Sequence, residues 1–293
     1  MVVNEEGLRE VTVGIAGIGI SFLFGQNLFG CGLKDIKDDF VTDNSAEVKL
    51  RVHHGGIPGK RPEKKIFDSG STWSLYCNGG KYVLQDCSFE PDLLPERIVV
   101  LESDFKSGDI YMRNGVFNQN LLPDPLGYPL NQVLMIMLLS RSRGMLLHAC
   151  GIDDNGNGYL FLGNSTHGKS TISRLWFENQ ATVLNDDRII VREKDGELWM
   201  YGTPWHGAFK EVSPKGLPIR KVFFLGHGER NSAVPKKYAE AASMFLTRCF
   251  PPFWDKKGME YTVGLSHRII SKIPCYELNF VPDKEIISFV RNI

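Results

Sequence analysis

The sequence predicts an α/β protein in two parts: a mostly antiparallel β domain over residues 1–120, then a domain over 126–293 built around a phosphate-binding loop. Three observations predict it. Short alternating apolar runs broken by glycine turns fill roughly the first 115 residues. A breaker-rich stretch, Leu121-Leu122-Pro123-Asp124-Pro125-Leu126-Gly127-Tyr128-Pro129, follows as a linker. Beyond it, Tyr159-Leu160-Phe161-Leu162, a glycine-bounded loop and an amphipathic run from Thr171 to Phe177 read as strand, loop and helix in immediate succession.

In the N-terminal part, Val11, Val13 and Ile15 alternate as a strand, with nearby glycines marking bends. Gly17-Ile18-Gly19 is no dinucleotide fingerprint, because Phe22 stands where its third glycine belongs. Val48, Leu50 and Val52 form a second strand, and adjacent His53 and His54 face opposite ways at its end, which argues against a metal pair. Trp73 to Cys77, Asn78-Gly79-Gly80 and Tyr82 to Leu84 read as a hairpin. Residues 98–101 and 110–112 read as a further pair around Ser107-Gly108-Asp109. The loop from Gly55 to Lys65 carries Lys60, Arg61, Lys64 and Lys65, and a solvated loop is favoured over an anion-docking one.

In the C-terminal part, residues 130–141 form an apolar helix whose methionines belong to a core. Met145 to Ile152 is a strand, Asp153 to Gly158 a turn, and the turn leads into the strand before the loop, so the two strands pair antiparallel. Strands over 181–184, 189–191, 199–201 and 219–225 follow, with a helix over 238–248, a strand over 273–278 and an Asp283-capped helix over 284–290.

The chemistry concentrates in two motifs. Gly163-Asn164-Ser165-Thr166-His167-Gly168-Lys169-Ser170-Thr171 matches G-x-x-x-x-G-K-S, the P-loop. Its glycines allow backbone N–H groups to turn toward phosphate oxygens, the following helix adds its positive end, Lys169 reaches the β- and γ-phosphates, and the Ser170 hydroxyl is a hard ligand for Mg²⁺. Asn185-Asp186-Asp187-Arg188 then ends an apolar strand. One carboxylate suits Mg²⁺, the other a proton from an attacking hydroxyl. His148, within an apolar strand beside the P-loop strand, is either a satisfied core histidine or a partner of that acidic pair. His167 either meets a phosphate or the acceptor, or faces solvent. Thr203-Pro204-Trp205-His206-Gly207 is a candidate rim, and Arg248 reads as a helix-end arginine before a phosphate cation. No Asn-Lys-x-Asp occurs, which moves the reading away from GTPase switches.

These motifs, with Leu147-His148-Ala149 ahead of the turn, resemble the catalytic domain of HPr kinase/phosphorylase, a P-loop kinase core related in fold to phosphoenolpyruvate carboxykinase. The likeness covers about 128–230, and the 203–207 stretch resembles HPr-kinase-related proteins found beside peptide natural-product genes. The resemblance implies ATP- and Mg²⁺-dependent phosphorylation of a serine hydroxyl on a peptide or small protein. It implies Asp186 as general base, Asp187 as a direct or water-mediated metal ligand and His148 as the partner of Asp186, with the reverse order of the two aspartates left open. No Leu-Glu-Ile-Arg-Gly-Leu-Gly follows the acidic motif, so the likeness stops short of HPr itself as substrate.

The bulk composition agrees with such an enzyme. The 293 residues are 42% hydrophobic and 23% charged with zero net charge, which offers no general attraction to nucleic acid or anionic membrane. The longest apolar stretch, from Val11 to Phe24, is too short and glycine-broken to span a bilayer. Acidic Glu5 and Glu6 do not suit a signal peptide, and six scattered cysteines without C-x-x-C spacing suit reduced thiols, so a cytoplasmic protein is expected. A small-molecule kinase, acting for example on free serine, ranks second, and a non-catalytic nucleotide-binding module third. A homo-oligomer is an arrangement the sequence leaves open.

Overall fold

The structure is a computed structural model that describes residues 2–3, 8–25, 33, 36–57, 64–86, 95–113, 124–164 and 166–293. It is a mixed α/β protein with two compact units, Met1–Met137 and Leu138–Ile293. Residues 58–63 of the basic loop and 121–123 of the linker lie outside the described residues, as does Ser165.

Among the described residues the first unit is a nine-stranded sheet of β1 (Val2–Val3), β2 (Arg9–Ile15), β3 (Ile18–Phe24), β4 (Val48–His54), β5 (Lys64–Asp68), β6 (Trp73–Asn78), β7 (Lys81–Asp86), β8 (Arg97–Leu101) and β9 (Ser107–Met112). The spatial order is 1-2-3-4-9-8-7-6-5. Neighbours are antiparallel except beside β4, which runs parallel to β3 and β9. Alternation sets the faces: Val48, Leu50 and Val52 are buried while Lys49 and Arg51 are exposed. Gly79 and Gly80 both take positive φ between β6 and β7, as a two-residue hairpin turn requires. Ser107-Gly108-Asp109 is not the turn that the sequence suggests but the start of β9. Gly108 is there because a Cβ would lie 2.4 Å from the Val100 carbonyl oxygen, so its smallness serves strand approach instead. His53 bonds to Asp109 at 2.7 Å.

Helix α1 (Leu130–Leu139) is buried along almost its whole length. The second unit continues with β10 (Met145–Asp154), β11 (Asn157–Leu162), α2 (Lys169–Glu178), β12 (Thr182–Asn185), β13 (Arg188–Lys194), β14 (Glu197–Gly202), β15 (Gly216–His227), β16 (Ser232–Pro235), α3 (Tyr238–Leu246), α4 (Lys256–Lys272), β17 (Cys275–Phe280) and α5 (Glu285–Arg291). Its sheet runs β11-β10-β13-β14-β15-β17-β16, and β15 also pairs in parallel with β11. β10 and β11 are antiparallel, as their tight turn predicts.

β10 changes partner along its length. Met145 to His148 pair with β13, whereas Ala149 to Asp154 pair with β11 and the stretch from Gly151 pairs with β12. The register shifts at Gly151, where a Cβ would stand 2.7 Å from the Ile189 side chain. That switch brings the end of β12, the start of β13 and the middle of β10 to one place.

Strand alternation divides the core between two sheet faces. Leu160, Leu162, Val222 and Phe224 point to one cluster with Phe245 of α3 and Leu265 and Ile269 of α4. Tyr159, Phe161, Phe223 and Leu225 point to the other with Trp176 of α2 and Ile286 and Val290 of α5. Helix α4 was not anticipated. Gly258, Gly264 and several β-branched residues dilute its helical propensity, and tertiary packing together with the Asp255 cap, which accepts from Lys257 N, carries it.

Phe223 is fully buried, with its ring centre 5.1 Å from Phe161 and 5.7 Å from Tyr276. Phe223→Ala should cost about 3–5 kcal/mol in urea unfolding. A cost below about 1 kcal/mol would mean that this face is not a packed core.

Candidate active site

The loop between β11 and α2 is shaped by positive φ at Thr166 (72°) and Gly168 (88°). Gly168 is doubly constrained, since a Cβ there would lie 2.7 Å from the Phe280 ring at the end of β17. Lys169 opens α2 and is 7% exposed, its Nζ donating to the carbonyls of Gly163 at 2.9 Å and Asn164 at 3.1 Å. Burial pushes its pKa below the usual lysine value, against the opposing pull of Asp187. The His167 ring turns to β15, its Nδ1 lying 3.0 Å from the Leu225 carbonyl and its centre 5.7 Å from His227. The ring is half-buried and does not line the cavity described below.

At the corner between β12 and β13, Asn185 is fully buried and organises the turn. Its Oδ1 accepts from the backbone N of Asp187 (2.7 Å) and Arg188 (2.8 Å). Its Nδ2 donates to the carbonyls of Thr203 (2.9 Å) and Trp205 (2.6 Å), which ties the 203–209 loop to the corner. That loop returns two backbone donors to Asp186: Gly207 N to Oδ1 at 2.6 Å and Phe209 N to Oδ2 at 2.9 Å. The Ser170 hydroxyl donates to Oδ2 at 2.6 Å. Asp186 is 1% exposed, and three donors meet its two oxygens as a buried carboxylate requires.

Asp187 faces differently. His148 Nε2 lies 3.0 Å from its Oδ1, and Arg188 Nη1 donates to Oδ2 at 2.5 Å. Burial pushes the carboxyl up, but the His148 hydrogen bond and the charges of Arg188, His148 and Lys169 outweigh it and hold the group below its ordinary 3.8. This corrects the expected pairing of His148 with Asp186. β10 lies beside residue 187, with Ala149 N donating to the Asp187 carbonyl at 3.2 Å, while Asp186 is drawn to α2 and the 203–209 loop.

A cavity of about 280 Å³ collects most of these groups: His148, Thr166, Gly168, Lys169, Ser170, Thr171, Asp186, Asp187, Gly207 and Ala208. Gly163 and Asn164 hold Lys169 through their carbonyls and do not line it. Arg248 does not line it either. Its Nη1 donates to the Met244 carbonyl at 3.0 Å, a helix-end role. The Ser170 hydroxyl and an Asp186 oxygen, 2.6 Å apart, are a hard-oxygen donor set of the kind Mg²⁺ takes. Lys169 and the start of α2 offer positive charge to an anion. Asn185 stands in the acidic motif and Gly207 in the candidate rim, but the roles of Asn185 as a tie and of the Gly207 and Phe209 amides as donors to Asp186 were not foreseen. A buried Asn ahead of two acids, with a glycine some twenty residues on, is the only trace they leave in the sequence.

No family model matches the chain, and no curated protein matches it. Among solved structures, that of the Hpr(Ser) kinase/phosphatase from Coxiella burnetii aligns with 14% identity and a TM-score of 0.32, over 50% of this chain and 94% of its own. A likeness of that degree fixes neither family nor activity.

A Cβ at Gly207 would stand 2.9 and 3.0 Å from the Asp186 oxygens. Gly207→Ala should therefore displace the carboxylate and cost about 1–3 kcal/mol in urea unfolding. A variant as stable as the native chain would show that the loop yields without disturbing Asp186.

Proposed function

We propose that the chain is an ATP-dependent kinase with a P-loop core, transferring the γ-phosphate to a serine hydroxyl of a peptide or small protein. The observation that carries this reading is that one cavity joins Lys169 and Ser170 at the start of α2 to two carboxylates in different environments. Asp186, bonded to Ser170, takes the metal side. Asp187, bonded to His148, takes the proton. This is the reverse of the order that the family resemblance puts first.

Mg²⁺, held by Ser170 and Asp186, would supply charge neutralisation at the β- and γ-phosphates. Backbone N–H groups at the start of α2 and the Lys169 ammonium orient the phosphates, and Lys169 exchanges its loop carbonyls for phosphate oxygens. Asp187 accepts the proton of the acceptor hydroxyl as the new O–P bond forms and the bond from Pγ to the ADP oxygen breaks. His148 holds one Asp187 oxygen in place and buffers its charge. The serine acceptor and its peptide context rest on the likeness of the 147–149, 163–171, 185–188 and 203–207 motifs to HPr-kinase-related proteins. We read the first unit as the substrate-guiding part.

The test is transfer from γ-labelled ATP with Mg²⁺ to serine peptides and to free serine, with Asp187→Asn and Lys169→Ala beside the native chain. Asp187→Asn should lose about 10²–10⁴-fold in transfer while its ATP affinity stays within about threefold. Labelled free serine without labelled peptide would replace the peptide acceptor with a metabolite. ATP binding without any transfer would overturn the enzyme reading.

A further inference from the structure

Arg188 and Phe250 have no part in the chemistry above, yet both face Asp187 or its partners. Arg188 Nη1 donates to Asp187 Oδ2 at 2.5 Å and to the Asp187 carbonyl at 3.2 Å. The guanidinium carbon lies 4.5 Å from the centre of the Phe250 ring, within cation–π range. The same ring lies 6.2 Å from the His148 ring. Phe250 is placed there by backbone pairing. Residues 248–250 run antiparallel beside β10, with His148 N donating to the Arg248 carbonyl at 2.8 Å, Phe250 N to the Leu146 carbonyl at 3.0 Å, and Leu147 bridged to Cys249. One aromatic side chain thus faces both groups that hold Asp187.

We propose that Arg188, seated on Phe250, is a positioning residue that fixes the plane of the Asp187 carboxylate toward the acceptor hydroxyl. This role rests on the kinase reading. His148 holds Oδ1 from β10 and Arg188 holds Oδ2 from β13, so rotation of the carboxyl about its own bond breaks two contacts at once. A planar guanidinium can lie on a ring and donate from its edge together, which a lysine ammonium cannot. Asp187 is faced by His148 from β10, Arg188 from β13 and Lys169 from α2, with the Asp186 carboxylate beside it in the chain.

The experiment compares Arg188→Met, Arg188→Lys and Phe250→Leu with the full native chain. It reads kcat and the KM for ATP and for the acceptor peptide. Arg188→Met should lower kcat about 10–100-fold with the KM for ATP changed less than about twofold. Arg188→Lys should recover only part of kcat, because an ammonium cannot lie on the ring and hold the carboxylate edge together. Phe250→Leu should lower kcat with the KM for ATP unchanged, and these two variants decide the matter if Arg188→Met does not fold. Native kcat in the variants would overturn the positioning role alone. Absence of transfer by the native chain would overturn the kinase reading and this role with it.

Discussion

The 2.6 Å hydrogen bond from Ser170 to Asp186 is the constraint on which the second unit is arranged. It joins the first turn of α2 to the acidic corner, and it satisfies a carboxylate that is 1% exposed. A carboxyl group so buried is tolerable only when well-aligned donors meet its oxygens. Two of those donors are backbone amides of a loop that has no regular secondary structure. The loop in turn is fixed by Asn185, one residue before the aspartate that it serves. The arrangement is circular: Asn185 holds the loop, the loop holds Asp186, and Asp186 holds α2.

Sheet geometry then separates the two aspartates. Consecutive residues at a strand end point in different directions. Asp186 turns toward α2 and the 203–209 loop, while Asp187 turns toward His148 on β10. Because β10 passes from β13 to β11 and β12 near Gly151, His148 and the glycine loop come to the same cavity. Two carboxylates adjacent in sequence therefore meet unlike surroundings, one met by neutral donors and one flanked by cations. That difference is what suits them to different chemical tasks.

Much of this was legible from local signals. The G-x-x-x-x-G-K-S loop, the apolar strand before it and the Asn155-Gly156 turn each obey short-range rules, and β10, β11 and α2 follow from them. The acidic corner was legible as a pair of acids ending a strand. The assignment of partners was not. Whether His148 meets Asp186 or Asp187 depends on β10–β13 register, and register across forty residues leaves no mark in either segment alone. The pairing of residues 248–250 with β10 is hidden for the same reason. Backbone amides that cradle a carboxylate have no side-chain signature, so Gly207 is legible only as part of a candidate rim and Phe209 not at all. The parallel pairs beside β4 escaped notice because alternation reports which face a residue takes, not which way its neighbour runs.

The division of labour between the two carboxylates is tested most directly by calorimetric titration of a non-hydrolysable ATP analogue with and without Mg²⁺. The native chain, Asp186→Asn and Asp187→Asn would be compared. Asp186→Asn should lose most of the Mg²⁺-dependent gain in affinity while Asp187→Asn keeps it. Loss of that gain in Asp187→Asn, with Asp186→Asn unaffected, would contradict the assignment and return the metal to Asp187.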